Sequence, residues 1–160
     1  MPSEFQPSGL PKAVCKAGEF PFAAAHLDHP HIYGQCEGLI EAGGTLRYVY
    51  DRDPEKIAAF IKKFPTVKVL ESEEALLEQP DIHLVAAAAI PNERGPLGIK
   101  VMESGKDYFT DKTPFTSLGQ LETARQKVIE TGKKYMVYYS ERLHVESAVH
   151  AGDLIEAGVI

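Results

Sequence analysis

The segment Leu46-Arg47-Tyr48-Val49-Tyr50-Asp51, continued by Arg52-Asp53-Pro54, decides the fold of this chain. Its apolar and aromatic residues predict a strand that ends in an acid. A helix start follows at once, because aspartate caps a helix and proline suits its first turn. A strand that leads directly into a helix predicts one unit of a parallel α/β sheet.

The same alternation of strand and helix continues in both directions along the chain. The continuous apolar run from Ile82 to Ala89 predicts a central strand that is covered on both faces. Ser117 with Gln120 resembles a capping box at the start of a later helix. The predicted strands span 20–25, 45–50, 67–70, 82–89, 107–110 and 135–139, and the predicted helices span 32–42, 54–64, 73–78, 92–104, 118–131 and 145–157.

This pattern predicts an α/β fold with a doubly wound, Rossmann-like parallel sheet of six strands and helices on both faces. Residues 1–19 are expected to form a flexible arm, because proline and glycine interrupt any periodicity. A net charge of -6 argues against a nucleic-acid partner. We expect no membrane partner, no signal peptide and, with only Cys15 and Cys36 as cysteines, a cytoplasmic location.

Asp51 is the first candidate site residue. A carboxylate at the end of the second strand can accept protons from both ribose hydroxyls of an adenosine, which favours NAD over NADP. The alternative is that Asp51 merely begins a turn. Arg52 is a candidate to stack on adenine or to reach a 2′-phosphate, so NADP stays open, and a solvated surface arginine is the competing interpretation.

The turn from His26 to Gly34 lies where such folds keep three glycines that let a pyrophosphate approach the backbone. His26, Asp28 and His31 occupy those three positions. We expect His29 and His31 to donate hydrogen bonds to the cofactor, which would partly offset the charge of Asp28. Three alternatives stay open: local capping of the turn, a histidine that acts as acid or base toward substrate, and a metal site, which we do not expect.

Asp111-Lys112-Thr113-Pro114 follows the fifth strand. A lysine at this position can hydrogen-bond a substrate hydroxyl and help it lose a proton as hydride leaves. Lys112 is therefore the candidate catalytic residue and Asp111 a candidate cofactor contact, against the alternative of an exposed loop lysine.

Ile90-Pro91-Asn92 follows the fourth strand, where loops at the carboxyl ends of strands line the ligand crevice. We expect these three residues to contact the cofactor. Asn92 could bond the cofactor's ribose, although capping of the next helix explains it equally well.

Together these motifs resemble the glucose-fructose oxidoreductase and inositol dehydrogenase family (Gfo/Idh/MocA) from residue 20 onward. Pro91-Asn92 is similar to the family's Pro-Asn after the fourth strand, and 104–106 to its Ala-Gly-Lys before the fifth. Asp111-Lys112-Thr113 is similar to its Glu-Lys-Pro signature, with threonine in place of the proline. The stretch 139–142 and the helix after it are similar to the family's passage out of its nucleotide domain. The chain departs from the family at all three phosphate-loop glycines.

The resemblance implies an NAD(P)-dependent dehydrogenase that acts on a sugar, polyol or related hydroxy compound, with Lys112 as catalytic lysine and Asp51 as ribose acid. It also implies a second domain, built on an open antiparallel sheet, that completes the substrate site. We therefore expect residues 20–145 to form the NAD(P)-binding domain, 146–160 to begin the passage toward the second domain, and the full-length protein to be a homo-oligomer.

A different class of function follows from the missing glycines. The chain could be a non-catalytic Rossmann-like module that has lost dinucleotide binding and senses a ligand or holds a partner.

Overall fold

The computed structural model describes residues 12–140 and 145–160, which form a single six-stranded sheet with helices around it. The strand order is β3-β2-β1-β4-β5-β6 and every neighbouring pair is parallel, which confirms the predicted doubly wound sheet. The strands are β1 Pro21–Ala25, β2 Thr45–Tyr50, β3 Lys68–Val69, β4 Leu84–Ala87, β5 Asp107–Asp111 and β6 Tyr135–Tyr138. The helices among these residues are α1 His31–Glu41, α2 Pro54–Lys63, α3 Glu73–Leu77, α4 Pro91–Glu103, α5 Leu118–Thr131 and α6 Glu146–Glu156.

Two apolar cores lie on opposite faces of the sheet, and alternate residues of the central strands contribute to each. In β1, Phe22 and Ala24 belong to one core, and Ala23 and Ala25 belong to the other. The first core also holds side chains of α1 and α2, and the second holds side chains of α3 and α4. This two-sided burial explains why β1 and β4 are continuously apolar rather than alternating.

Side chains fix the starts of α2 and α3 as the sequence predicts. The Asp53 carboxylate accepts a hydrogen bond from the backbone N–H of Glu55 at 2.8 Å, and Pro54 occupies the first turn of α2. The Ser72 hydroxyl accepts one from the backbone N–H of Ala75 at 3.0 Å. Each bond satisfies an amide that the helix itself leaves without a partner.

The predicted capping box of α5 is only half present. Ser117 Oγ accepts a hydrogen bond from the Gln120 backbone N–H at 3.2 Å, as expected. The Gln120 side chain does not return to Ser117; its Oε1 accepts from the backbone N–H of Thr116 at 2.8 Å. At the other end, Gly132 adopts the left-handed conformation with φ 67° and closes the helix.

The described part of the predicted N-terminal arm is hydrogen-bonded to the connection between α1 and β2. The backbone N–H of Val14 donates to the carbonyl of Ala42 at 2.9 Å, and that of Gly18 donates to the Thr45 hydroxyl at 2.9 Å. The rest of the arm, residues 1–11, lies outside the described residues, as do 141–144. No helix in the described ranges is long and apolar enough to cross a membrane.

Helix α4 packs closely on the sheet because Gly98 has no side chain. A Cβ at this position would lie 2.6 Å from Tyr108 Cδ1 and would also overlap the ring of Tyr135. The two rings pack edge to face, with centroids 5.1 Å apart. Both are held in place, so neither can yield easily to an added methyl group.

We expect Gly98→Ala to lower the free energy of unfolding by about 1–3 kcal/mol, because the methyl group overpacks the contact between α4 and the sheet. Urea unfolding of the purified chain measures the change. The matched control is Gly119→Ala in α5, where the nearest atom to an added Cβ is Ser117 Oγ at 3.8 Å. The control should leave stability unchanged or raise it by up to about 1 kcal/mol. Equal stability of the two variants would contradict the packing argument.

Candidate functional site

The candidate site lies along the rim formed by the carboxyl ends of β1, β2, β4 and β5. Parallel pairing aligns Ala25 with Tyr50 on one side and with Ala87 on the other, so the connections after these strands meet. The turn after β1 is bonded to both neighbours. The backbone N–H of His26 donates to the Tyr50 carbonyl at 3.2 Å, and the Ala88 N–H donates to the His26 carbonyl at 3.1 Å.

Asp51 lies at the end of β2 on this rim and is buried, with 8% of its surface exposed. One carboxylate oxygen accepts a hydrogen bond from the backbone N–H of Leu27 at 2.5 Å, and the other accepts from the N–H of Asp53 at 2.8 Å. The side chain therefore ties the turn after β1 to the start of α2. Each carboxylate oxygen can accept one further hydrogen bond, so these contacts leave some acceptor capacity.

The turn after β1 adopts its shape without glycine. His26 has φ 51°, a left-handed conformation that histidine adopts more readily than most residues. The Asp28 carboxylate pairs with the ammonium group of Lys56 on α2 at 2.5 Å. A hydrogen bond from Lys56 to Asp28 raises the pKa of Lys56. Lys56, which the sequence analysis missed, therefore offsets the charge that Asp28 would present to a phosphate.

The first amides of α1 already have partners inside the turn. The backbone N–H of His31 donates to Nδ1 of the His29 ring at 3.2 Å, and the N–H of Ile32 donates to the His29 carbonyl at 3.2 Å. The Tyr33 N–H donates to the carbonyl of Pro30. An anion at this helix start would have to displace the His29 ring or share these amides.

His29 and His31 face Asp111, which ends β5. His31 Nδ1 lies 2.9 Å from Asp111 Oδ1, and His29 Nδ1 lies 3.5 Å from Oδ2. The Asp111 side chain is only 2% exposed, whereas those of His31 and His29 are 28% and 44% exposed. Partial burial and the neighbouring His31 hold the pKa of His29 below its ordinary value, despite the opposing pull of Asp111. His29 is therefore mostly neutral at pH 7.

Arg94 is a second residue of the candidate site that the sequence analysis missed. It lies in the first turn of α4, is 3% exposed, and its Nε donates to the Ala89 carbonyl at 2.6 Å. Nη2 pairs with Asp111 Oδ2 at 3.2 Å, and Nη1 donates to the carbonyls of Lys112 and Thr113. A signal was present in the sequence: Arg94 shares a helical stripe with the apolar residues Leu97 and Val101. A charged residue in such a stripe needs buried partners.

Lys112 follows β5 directly and is half-buried on the rim. Its backbone N–H donates to Asp111 Oδ1 at 2.9 Å, and its carbonyl accepts from Arg94. The main chain at Lys112 is thus held on both sides while the ammonium group lies at the end of a flexible stem.

A cavity of about 380 Å³ opens on the same rim between β2 and α4. Several side chains of its lining contact one another: His26 Nε2 lies 2.6 Å from Glu73, Lys100 lies 3.0 Å from Glu73, and Arg52 lies 3.0 Å from Glu93. Burial opposes ionisation of Glu73, but hydrogen bonds from His26 and Lys100 outweigh it and hold the pKa of Glu73 below its ordinary value. The lining residues are His26, Tyr50, Arg52, Glu73, Glu74, Asn92, Glu93, Pro96, Leu97 and Lys100.

The structure divides the predicted site residues into two neighbouring groups. Arg52 and Asn92 line the cavity, and Ile90 and Pro91 begin α4 beside it, both exposed. The second group lies at the end of β5 and contains three predicted cofactor contacts: His29, His31 and Asp111. The predicted catalytic residue Lys112 follows Asp111 directly, and its backbone N–H donates to the Asp111 carboxylate. Asp51 lies beneath the turn that separates the two groups.

Comparison with known proteins identifies the family. The model of the Gfo/Idh/MocA oxidoreductase family, NAD-binding Rossmann fold, matches residues 17–139. A crystal structure of a protein assigned as an oxidoreductase from Erwinia carotovora atroseptica is 42% identical, with a TM-score of 0.84 over 88% of this chain and 42% of its own. No curated protein matches the chain.

More distant structures share the fold. A protein assigned as an NADPH-dependent oxidoreductase from Desulfitobacterium hafniense is 22% identical, with a TM-score of 0.75 over 88% of this chain and 40% of its own. GenD2 of gentamicin A biosynthesis, solved with NAD, is 18% identical, with a TM-score of 0.70 over 79% of this chain and 36% of its own. The chain spans about two fifths of the length of these structures. It belongs to the Gfo/Idh/MocA oxidoreductase family and comprises that family's NAD-binding Rossmann domain.

Proposed function

We propose that this domain binds the cofactor of a dehydrogenase that transfers hydride between NAD and a sugar, polyol or related hydroxy compound. The observation that carries the proposal is the position of Lys112. It follows β5 on the same rim as Asp51, and its backbone is held by Arg94 and Asp111. A fixed main chain with a flexible ammonium group suits a residue that must reach a reacting oxygen.

In this proposal Lys112 donates a hydrogen bond to the substrate hydroxyl and stabilises the negative charge that develops on its oxygen. Bound NAD supplies the hydride acceptor. Asp111 and Arg94 position the lysine and do not themselves react. His29 and His31 lie beside Asp111 and contact the cofactor or substrate from the turn after β1.

The paired charges of the cavity support NAD over NADP. Arg52, after the end of β2, and Lys100, in α4, each already have a carboxylate partner. A 2′-phosphate would have to displace Glu93 or Glu73 and would meet their negative charge. The proposed adenosine contacts are the ones predicted from the sequence: Asp51, Arg52, Ile90, Pro91 and Asn92.

The substrate site is proposed to include a second domain with an antiparallel sheet, because this chain covers 42% of the Erwinia structure. We also propose a homo-oligomeric, cytoplasmic full-length protein with a small-molecule substrate. A net charge of -6 gives no support to a nucleic-acid partner.

A second candidate function is a Rossmann-like module that no longer binds a dinucleotide. The specific observation in its favour is that the first amides of α1 and both oxygens of Asp51 are already hydrogen-bonded inside the protein. Cofactor titration distinguishes the two functions.

We expect the purified chain to bind NAD, and Asp51→Asn to weaken that binding by about tenfold or more, because a charge-assisted hydrogen bond to ribose is lost. Isothermal titration calorimetry measures the affinity, and thermal unfolding shows whether the variant is folded. Asp107→Asn is the matched control: its carboxylate also accepts a backbone N–H, that of Lys134 at 3.0 Å, but at the opposite end of the sheet. Absence of binding to the unaltered chain at about 1 mM NAD, the upper end of ordinary KM values, would favour the non-catalytic module.

We expect Lys112→Met to lower kcat by about 10²–10⁴-fold in a protein that joins this chain to its second domain, because the group that polarises the reacting oxygen is lost. NAD affinity should change little, since the lysine acts on substrate. NADH formation with a panel of sugars and polyols gives the rate. Lys134→Met, an exposed lysine at the opposite end of the sheet, should keep the full rate. Unchanged turnover in Lys112→Met would refute the catalytic assignment.

A further inference from the structure

Three side chains that can ligate a metal converge where the turn after β1 meets the end of β5. His29, His31 and Asp111 each offer one ligand atom, and these atoms all lie within 4.8 Å of one another. His31 and Asp111 are 80 residues apart in the chain, so the cluster exists only in the folded sheet. Two imidazoles and one carboxylate form a donor set that suits first-row transition metals.

The spacing of the donor atoms fits a shared ion. Neighbouring ligands bound at about 2.1 Å from a tetrahedral or octahedral metal are separated by about 3.0–3.4 Å. His31 Nδ1 and Asp111 Oδ1 are 2.9 Å apart, and His29 Nδ1 and Asp111 Oδ2 are 3.5 Å apart. Both distances are close to the separation of ligands that share one ion.

The surroundings are arranged as they are around a metal ligand. The most buried member, Asp111, is oriented by Arg94 Nη2 at 3.2 Å and by the Lys112 backbone N–H at 2.9 Å. Outer hydrogen bonds of this kind hold a ligating carboxylate in position. His29 and His31 are partly exposed, so an ion can enter from solvent. With three protein ligands, the ion keeps open positions for water or for an oxygen of a bound molecule.

We propose that His29, His31 and Asp111 bind one divalent transition-metal ion. The ion takes the place of the hydrogen bond between His31 and Asp111, and it takes over the lone pair of His29 Nδ1 that now accepts the His31 N–H. The positive charge of Arg94 lies beside Asp111, so it disfavours metal ions that would bind mainly through the carboxylate oxygens. The site therefore selects zinc-like ions, which bind imidazole nitrogen well, over magnesium or calcium.

A second cluster, His26 with Asp28 and Glu93, also brings possible ligand atoms within 4.8 Å. Its donors are already engaged elsewhere. His26 Nε2 lies 2.6 Å from Glu73, Asp28 lies 2.5 Å from Lys56, and Glu93 lies 3.0 Å from Arg52. The ion is therefore assigned to the cluster around Asp111, and the second cluster provides a control for the experiment.

The test uses the full 160-residue chain without a histidine tag, stripped of metal with a chelator. We expect calorimetry to show one Zn²⁺ bound per chain, and Co²⁺ to produce a visible absorption band that Zn²⁺ abolishes. His29→Ala and His31→Ala should each lower the affinity by at least about tenfold, since loss of an outer partner alone costs about that much. Mg²⁺ at the same concentration should give no heat of binding.

Controls separate this site from other histidines. His83→Ala, whose ring packs on Phe20, should keep the Zn²⁺ affinity of the unaltered chain. So should His26→Asn, which removes the imidazole but keeps a residue that tolerates the left-handed backbone at φ 51°. Absence of Zn²⁺ binding to the unaltered chain would overturn the proposal. So would an affinity that survives in the folded His29→Ala, His31→Ala double variant, or one that is lost in the folded His26→Asn variant. Circular dichroism of each variant establishes that it is folded, and Asp111→Asn is left as a secondary test because Arg94 depends on that carboxylate.

Discussion

The turn from β1 into α1 depends on the carboxylate of Asp51. In most dinucleotide-binding folds, glycines give this turn its tight shape and let a ligand approach the backbone. Here two backbone amides, those of Leu27 and Asp53, bind the two oxygens of Asp51, and His26 accepts a left-handed conformation. In this chain, hydrogen bonds to one buried carboxylate hold the turn in the shape that glycines allow in other folds. The geometry of everything that follows in α1, including His29 and His31, rests on this anchor.

A second buried charge joins the other half of the rim. The Arg94 guanidinium reaches the end of β4 through the Ala89 carbonyl and the end of β5 through Asp111. Removing one partner of such a buried pair leaves an uncompensated charge, which costs about 3–5 kcal/mol. Arg94 therefore connects the carboxyl ends of β4 and β5 and also holds the Lys112 backbone in place. In both halves of the rim, a buried polar side chain binds main-chain groups: Asp51 in one half and Arg94 in the other.

Much of the fold could be predicted from local pattern. Continuous apolar runs located β1 and β4, and Asp53-Pro54, Ser72 and Ser117 located helix starts to within one or two residues. These signals act over a few residues, so a single sequence carries them. The reach of the Gln120 side chain was predicted wrongly, because a glutamine at that position can bond Thr116 as easily as Ser117.

The site could be predicted in position but not in its contacts. Parallel strands have their carboxyl ends on one rim, so Asp51, after β2, and Lys112, after β5, were expected on that rim. Both lie there. The pairs Asp28 with Lys56, His31 with Asp111, and Arg94 with Asp111 join residues that are distant in the chain. No short window contains both members of such a pair.

The order of the strands affects how the protein folds during synthesis. The order β3-β2-β1-β4-β5-β6 places β1 in the middle, beside partners from both halves of the chain. Loop closure over longer distances is slower, so we expect β1 to pair with β2 before it pairs with the more distant β4. During synthesis the N-terminal half emerges with β1 still lacking its β4 neighbour. Until β4 has been synthesised, the alanine-rich β1 has an unpaired edge that can pair with strands of other chains. A chaperone would be most useful at this stage.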